Sequence, residues 1–158
     1  MKFLITVIIS SLFIAAAAKA EEGVSQKDLI VSLPNAKSSG CNLASAGIKD
    51  KQKFLDFFRN LQDAVKNEDA DKLSDMVNYP IWCGVKKTKR GMARKPLKTT
   101  GDFKKHFSKV MNDKITTIIM AQKVEDLFCN YQGVMFGNGE FWLGVNSDGK
   151  LGIKAINN

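Results

Sequence analysis

The C-terminal part of the chain constrains the fold most, because short apolar runs alternate there with turn residues. The runs are Leu127–Asn130, Gly133–Phe136, Phe141–Val145 and Leu151–Ile156. The segments between the last three runs contain Gly-Asn-Gly at 137–139 and Asn-Ser-Asp-Gly at 146–149. Such residues supply the positive φ angles that hairpin turns need. The pattern predicts four antiparallel strands joined by turns.

The segments before these strands have helical periodicity. Helices are predicted at Asp50–Asn67, at Asp69–Val77 and from Thr100 or Gly101 to Met111. Two strands are predicted between the second and third helices, at Ile81–Lys87 and Met92–Leu97. The segment Ile115–Ala121 is ambiguous between strand and helix, and its β-branched content favours a strand or an irregular inner segment. Helices first and antiparallel strands last predict an α+β fold.

The N-terminus is typical of an export signal. Lys2 precedes an apolar run from Phe3 to Ile14, and Ala18-Lys19-Ala20 has the small-x-small pattern of a cleavage site. The run is shorter than the ~20 apolar residues of a membrane span. We therefore predict a signal peptide at 1–20 and an exported protein without a membrane span, with the periplasm favoured over the extracellular medium.

A polar leader is predicted at 21–50, with a short helix or strand at Lys27–Leu33 and a single domain at 51–158. The precursor has 24 Lys and Arg against 16 Asp and Glu, a net charge of +8. Removing Lys2 and Lys19 with the signal leaves 22 against 16, or +6. This excess favours acidic partners such as envelope lipids, anionic glycans, nucleic acid or acidic proteins; the favoured alternative is a solvated basic face that keeps the protein soluble.

The cations are densest around one predicted turn, where thirteen residues contain seven of them. They are Lys86, Lys87, Lys89, Arg90, Arg94, Lys95 and Lys98. A hairpin that projects these charges could bind an anionic envelope component or an acidic protein surface; the alternative is a solvated basic hairpin. Aromatic residues are not interleaved with the cations, so base stacking is not supported and nucleic acid is not favoured as a partner.

Three cysteines follow the predicted cleavage site: Cys41, Cys83 and Cys129. An oxidising compartment favours one disulfide and one remaining thiol. Cys41 lies in a polar loop and can reach a partner, so it is predicted to pair with Cys83 or Cys129, and the sequence leaves both pairings open. There is no CxxC pair and no His/Cys cluster. No metal site or cofactor is predicted.

Three stretches carry a family resemblance: the helix from Phe54 to Lys66, the Met76–Pro80 turn, and the closing Gly133–Trp142 hairpin with Ile153–Asn157. In these the chain resembles the nuclear-transport-factor-2-like, or SnoaL-like, superfamily over 54–157. The resemblance implies a cone fold, in which N-terminal helices pack inside a strongly curved antiparallel sheet. It also implies a homodimer through the open sheet. The superfamily includes isomerases, dehydratases, cyclases, ligand binders and scaffolds, so the fold leaves the function open.

Catalytic members of that superfamily place an Asp, or an Asp and a His, in the mouth of the cone. The weak candidates here are Asp56 and His106 as general base; the favoured alternative is that both are solvated surface residues. A second hypothesis assigns ligand binding to Tyr79, Trp82, Phe136, Glu140 and Trp142. Plain core packing of both tryptophans is its favoured alternative. Either face of the Phe141–Val145 strand could cover the first helix, and both orientations stay open.

The sequence therefore predicts an exported, non-enzymatic binding protein. It would hold a small apolar ligand in the cone, or an acidic protein or envelope partner on the basic hairpin. One alternative is a small isomerase or dehydratase with an Asp or His base in the cone. Another is an inhibitor or immunity-type protein that blocks a secreted enzyme.

Overall fold

The computed structural model describes residues 40–89 and 91–158, without the side chains of Lys87, Thr88 and Met92. The predicted signal peptide, the predicted element at Lys27–Leu33 and Arg90 lie outside the described residues. The helices are α1 (Lys51–Lys66), α2 (Ala70–Asp75), α3 (Thr100–Lys105), α4 (Phe107–Val110) and α5 (Asp113–Ala121), with short 3-10 turns at Leu43–Ala46 and Val124–Asp126. The strands are β1 (Ile81–Thr88), β2 (Gly91–Leu97), β3 (Phe128–Asn130), β4 (Gly133–Phe136), β5 (Phe141–Val145) and β6 (Leu151–Ile156).

Helix α1 begins at the predicted N-cap. The Asp50 carboxylate accepts a hydrogen bond from the Lys53 amide at 2.9 Å, which satisfies a backbone donor that the first turn leaves without a helical partner. On the apolar stripe of the helix, Phe54 and Leu61 are fully buried. The side chain of Gln62 joins α1 to α5 by donating to the Ile119 carbonyl at 3.0 Å.

The end of α1 has an uncommon backbone conformation. Glu68 follows the helix with a φ of 51°, in the left-handed region. Its amide donates to the Val65 carbonyl at 3.1 Å, and the Asp69 amide donates to the Ala64 carbonyl at 2.9 Å. This pair of bonds is the Schellman motif, in which glycine usually occupies the position that Glu68 holds here.

The prediction of a strand or irregular segment at Ile115–Ala121 is wrong, because this segment belongs to helix α5. The Asn112 side chain caps the helix by accepting from the Ile115 amide at 3.1 Å. Ile115 and Ile119, one turn apart, are both fully buried. The Thr116 hydroxyl donates to the Asn112 carbonyl at 3.2 Å. A capped N-terminus and a helical apolar stripe outweigh the β propensity of the branched residues.

The third predicted helix is interrupted at His106. That residue has a φ of −111° and a ψ of 12°, and it separates α3 from α4. The Thr99 hydroxyl caps α3 by accepting from the Asp102 amide at 3.1 Å. The helical segment thus starts where the sequence predicts but is split into two short helices.

The strands form two antiparallel sheets, with the orders β1-β2 and β3-β4-β5-β6. Strands β4, β5 and β6 have the bounds that the sequence predicts, and β3 starts one residue later, at Phe128. Between Gly84 and Lys86 the register of β1 against β2 shifts, which leaves Val85 as a bulge. The helices together with these sheets confirm the α+β prediction.

Strand β6 lies beside β1 and joins the two sheets. Val77 and Ile153 form an isolated parallel bridge, in which the Ile153 amide donates to the Met76 carbonyl at 2.8 Å. Further along, the Asn158 side chain accepts from the Gly84 amide at 2.7 Å and donates to the Gly84 carbonyl at 3.0 Å. The segment that leads into β1 and the middle of β1 are therefore both held by residues 153–158.

Aromatic side chains fill the space between α1 and the sheet. The ring of Phe136 stacks on Phe58 with centroids 5.6 Å apart and meets Phe141 edge-on at 5.2 Å. Residues from both sheets, including Ile81 and Ile153, belong to the same buried core. In the described part of the chain, no helix is long and apolar enough to cross a membrane.

The end of the predicted leader packs on the folded body. Cys41 forms a disulfide with Cys129, with their Cα atoms 4.6 Å apart, and Ala46 and Ile48 are buried. The structure thus selects Cys129 from the two partners that the sequence left open. Cys83 is a free, buried thiol.

Candidate functional site

The outer face of the β1–β2 hairpin carries an exposed tryptophan. Trp82 is 55% exposed, whereas its neighbours Ile81 and Cys83 are buried in the core. Its side chain therefore points away from the core. The register pairs Trp82 with Pro96, and Gly84 with Arg94, which places Pro96 and Arg94 on this same outer face. We call these three residues, Trp82, Arg94 and Pro96, the Trp82 patch.

Arg94 is held at the patch by a hydrogen bond. Its Nη2 atom donates to the Trp82 carbonyl at 2.9 Å, although the side chain is otherwise exposed. A guanidinium group has five donors, so this bond leaves others available. The arrangement places an apolar indole and a cation side by side on a strand pair. Residues of these two types dominate the binding energy of many protein interfaces.

The hairpin around the patch carries nearly all of the positive charge excess of the chain. Without its seven cations, the chain would have 17 basic and 16 acidic residues, a net charge of +1 in place of +8. No acidic residue lies between Lys86 and Lys98. Of these cations Lys86, Lys89, Arg94, Lys95 and Lys98 are exposed; the side chain of Lys87 and all of Arg90 lie outside the described residues. The positive charge excess of the sequence is thus concentrated in one segment, from Lys86 to Lys98.

A second apolar feature crosses the outer face of the four-stranded sheet. Strand register places Phe128 opposite Met135, Met135 opposite Trp142, and Trp142 opposite Ala155. Phe128 is half exposed, and the other three are half-buried. The buried Phe141 and Leu143 lie on the other face of β5, so this strand covers the core with those residues and turns Trp142 outward. Neither Trp82 nor Trp142 is therefore a core residue, so the expectation of core packing for both tryptophans is wrong.

Glu140 stabilises the β4–β5 turn. Its carboxylate accepts from the Asn138 amide at 2.7 Å and forms an ion pair with Lys114 at 3.1 Å. These interactions lower the pKa of the Glu140 carboxyl, and the hydrogen bond from the Asn138 amide is the largest cause. The indole Nε1 of Trp142 donates to the Gly139 carbonyl at 3.0 Å in the same turn. The polar groups of both side chains are thus engaged by the turn itself.

The five residues of the predicted ligand site are not gathered in one pocket. Phe136 is fully buried on the core side of β4, whereas Trp82 and Trp142 lie on outer faces. Tyr79, which precedes a cis peptide bond to Pro80, is half-buried and donates from its hydroxyl to the Ser74 carbonyl at 3.0 Å. Burial raises the pKa of Tyr79 above its usual value.

The two candidate bases lie on different helical segments. Asp56 is exposed on α1, where Gln52 donates to it at 3.0 Å and Arg59 at 3.2 Å. His106 is half-buried between α3 and α4. Its pKa is lowered mainly by this partial burial, and to a smaller extent by the positive charges of Lys95, Lys109 and Lys105.

Two adjoining clefts lie on the helical side of the molecule, of about 380 and 500 Å³. Both are lined by Val65, Glu68 and Thr116, at the end of α1 and on α5. Sequence reasoning did not single out these residues, and neither Asp56 nor His106 lines either cleft. The clefts are open and contain no catalytic pair that the sequence predicted.

Within residues 40–89 and 91–158, no group of three or more His, Cys, Asp and Glu side chains is arranged to hold a metal ion.

Comparison of the chain with protein families, curated proteins and solved structures finds no match. Among the described residues, the Trp82 patch and its surrounding cations are the most distinctive candidate for a functional site.

Proposed function

We propose that this chain is an exported, non-enzymatic binding protein that engages a protein partner through the Trp82 patch. The observation that carries the proposal is the exposure of Trp82 beside a positioned Arg94, in a hairpin with seven cations. Burying an indole at an interface removes a large apolar area from water. The surrounding lysines would steer an acidic partner toward the patch and favour one orientation of docking.

The packing of the interior supports a protein partner over a small ligand held inside the fold. Phe54, Phe136 and Phe141 are fully buried between α1 and the sheet, in the region where a cone-fold protein would hold its ligand. A protein binder requires an exposed patch and no internal cavity. The exposure of Asp56 and its pairing with Arg59 likewise favour a binding role over general-base catalysis.

We also propose that the fold is the cone of the nuclear-transport-factor-2-like superfamily. Two observations support this assignment: the order of the elements, with helices before the β3–β6 meander, and the contact of β6 with β1, which makes the two sheets adjoin. Export, with the periplasm as the favoured destination, is supported by the signal-like sequence at 1–20 and by the disulfide, since disulfides persist mainly in oxidising compartments.

Site-specific photo-crosslinking tests the proposal. A photoreactive phenylalanine analogue at position 82 is expected to capture one discrete protein partner when the full chain is expressed in its own host. The matched control carries the analogue at Met120, which is 44% exposed on the helical side, and is expected to capture no such partner. Capture of the same partner at both positions, or of none at position 82, would contradict the role of the patch.

Charge dependence provides a second readout. The purified partner identified by crosslinking should bind the Arg94→Gln variant more weakly, because the guanidinium next to the indole is lost. The Lys123→Gln variant removes an exposed cation from the loop after α5 and should bind with unchanged affinity. Equal effects of the two substitutions would indicate a response to net charge alone.

A further inference from the structure

We infer that the partner docks as an extended acidic segment, which adds a strand along Ala93–Leu97 of β2, on the side away from β1. The inference rests on the proposed binding function and specifies the chemistry of the partner. Among the described residues, Ala93–Leu97 of β2 pair with a strand on one side only, where they face β1. An edge of this kind presents backbone donors and acceptors to another chain.

The cations of the hairpin lie on both faces of the sheet beside this edge. The register pairs Arg94 with Gly84 on the outer face, the face of Trp82, and pairs Lys95 with the buried Cys83 on the opposite face. The side chains of Arg94 and Lys95 are both exposed.

This two-sided arrangement distinguishes between kinds of anionic partner. The side chains of a strand added to β2 alternate between the two faces, so acidic residues on such a strand would meet Arg94 on one face and Lys95 on the other. A membrane surface or a sheet-like glycan could contact only one face at a time. The charges therefore favour a strand over a planar anionic surface.

The positive charges of the hairpin also oppose pairing with a positively charged strand. A second copy of this chain would bring lysines and arginines against one another, which opposes edge-to-edge pairing of two hairpins. Pro96 removes one backbone donor from β2, a substitution that edge strands tolerate. Pro96 and its register partner Trp82 offer apolar contacts for the side chains of the added strand. The expected partner sequence thus combines acidic and apolar residues.

A synthetic peptide tests the inference directly on the purified protein. The probe is a peptide of about eight residues built from repeats of Val-Glu-Glu, which is long enough to pair with Ala93–Leu97 and presents carboxylates on both faces. We expect saturable binding, measured by the anisotropy of a labelled peptide, together with slower hydrogen exchange of the β2 amides. The Arg94→Gln and Lys95→Gln variants should each weaken binding about two- to fivefold, whereas Lys123→Gln should not.

Backbone methylation separates strand addition from simple charge attraction. The same peptide, N-methylated on the side that would face β2, keeps its charge but cannot form the ladder and should bind at least about tenfold more weakly. Equal binding of the methylated peptide would overturn the inference. So would an effect of Arg94→Gln without one of Lys95→Gln, or binding of phosphatidylglycerol vesicles in place of the peptide.

These outcomes are distinguishable from a failure of the proposed function. If the methylated peptide binds equally well while crosslinking at position 82 still captures a protein, the chain binds its partner by the face of the hairpin and strand addition is wrong. If crosslinking captures no protein, the binding function itself is wrong.

Discussion

Replacing Glu68 by glycine should stabilise the protein, because Glu68 holds a backbone conformation that favours glycine. Its φ of 51° closes the Schellman motif after α1. The left-handed conformation costs an L-residue about 1–2 kcal/mol. Glycine avoids that cost but loses about 0.5–1 kcal/mol of additional chain entropy on folding. The backbone contribution should therefore raise the free energy of unfolding by about 0.5–1 kcal/mol.

A matched variant isolates this backbone effect. Glu68→Ala removes the same carboxylate from the C-terminal end of α1 but keeps the Cβ atom and therefore the strain. Urea unfolding followed by tryptophan fluorescence should show the glycine variant to be more stable than the alanine variant by about 1 kcal/mol. For a domain of this size, that difference corresponds to roughly 3–5 °C in Tm.

The result that would refute this reasoning is equal stability of the two variants. It would mean that any gain comes from removing a negative charge near the carbonyl end of a helix. Since Glu68 also lines both clefts on the helical side, the partner identified by crosslinking should bind both variants as tightly as it binds the original protein if the Trp82 patch is the binding site.

Two further predictions concern the cysteines. Removing the disulfide by Cys41→Ala with Cys129→Ala should lower the free energy of unfolding by about 4.5 kcal/mol, given the separation of 88 residues; a loss below about 1 kcal/mol in urea unfolding would contradict this. Burial raises the pKa of Cys83 from 9.0 to about 12, so the thiol contributes stability that is complete below pH 9 and is lost as the pH rises toward 12. Between pH 9 and 11 the stability of the original protein should therefore fall more steeply than that of Cys83→Ala, and parallel pH profiles would show that the thiol does not contribute.

The sequence predicted the secondary structure best where turn chemistry marks the ends of strands. The bounds of β4, β5 and β6 follow from the glycine and asparagine residues around them. It failed at α5, where the β-branched run Ile115–Ile119 indicated a strand. The deciding residue was Asn112, which caps a helix whose buried isoleucines lie one turn apart. Local propensity was weaker than capping and burial together.

The candidate site depends on facts that one sequence does not contain. The charge run of the hairpin and both tryptophans were recognised from the sequence, but their relative placement was not. The proximity of Trp82 and Arg94 follows from the register of β1 on β2, including the bulge at Val85. Likewise, the outward orientation of Trp142 depends on which face of β5 covers the core. A pattern of period two identifies two faces without deciding between them.

The Cys41–Cys129 pairing also has a consequence for how the chain matures. Synthesis runs from the N-terminus, so Cys83 becomes available to Cys41 before Cys129 does. The nearer pair also closes a loop of roughly half the length, which lowers the entropic cost by about 0.6 kcal/mol. An oxidant that acts early would therefore join the wrong pair. Correct maturation requires that β1 bury Cys83 first, or that a thiol exchange later transfers the bond.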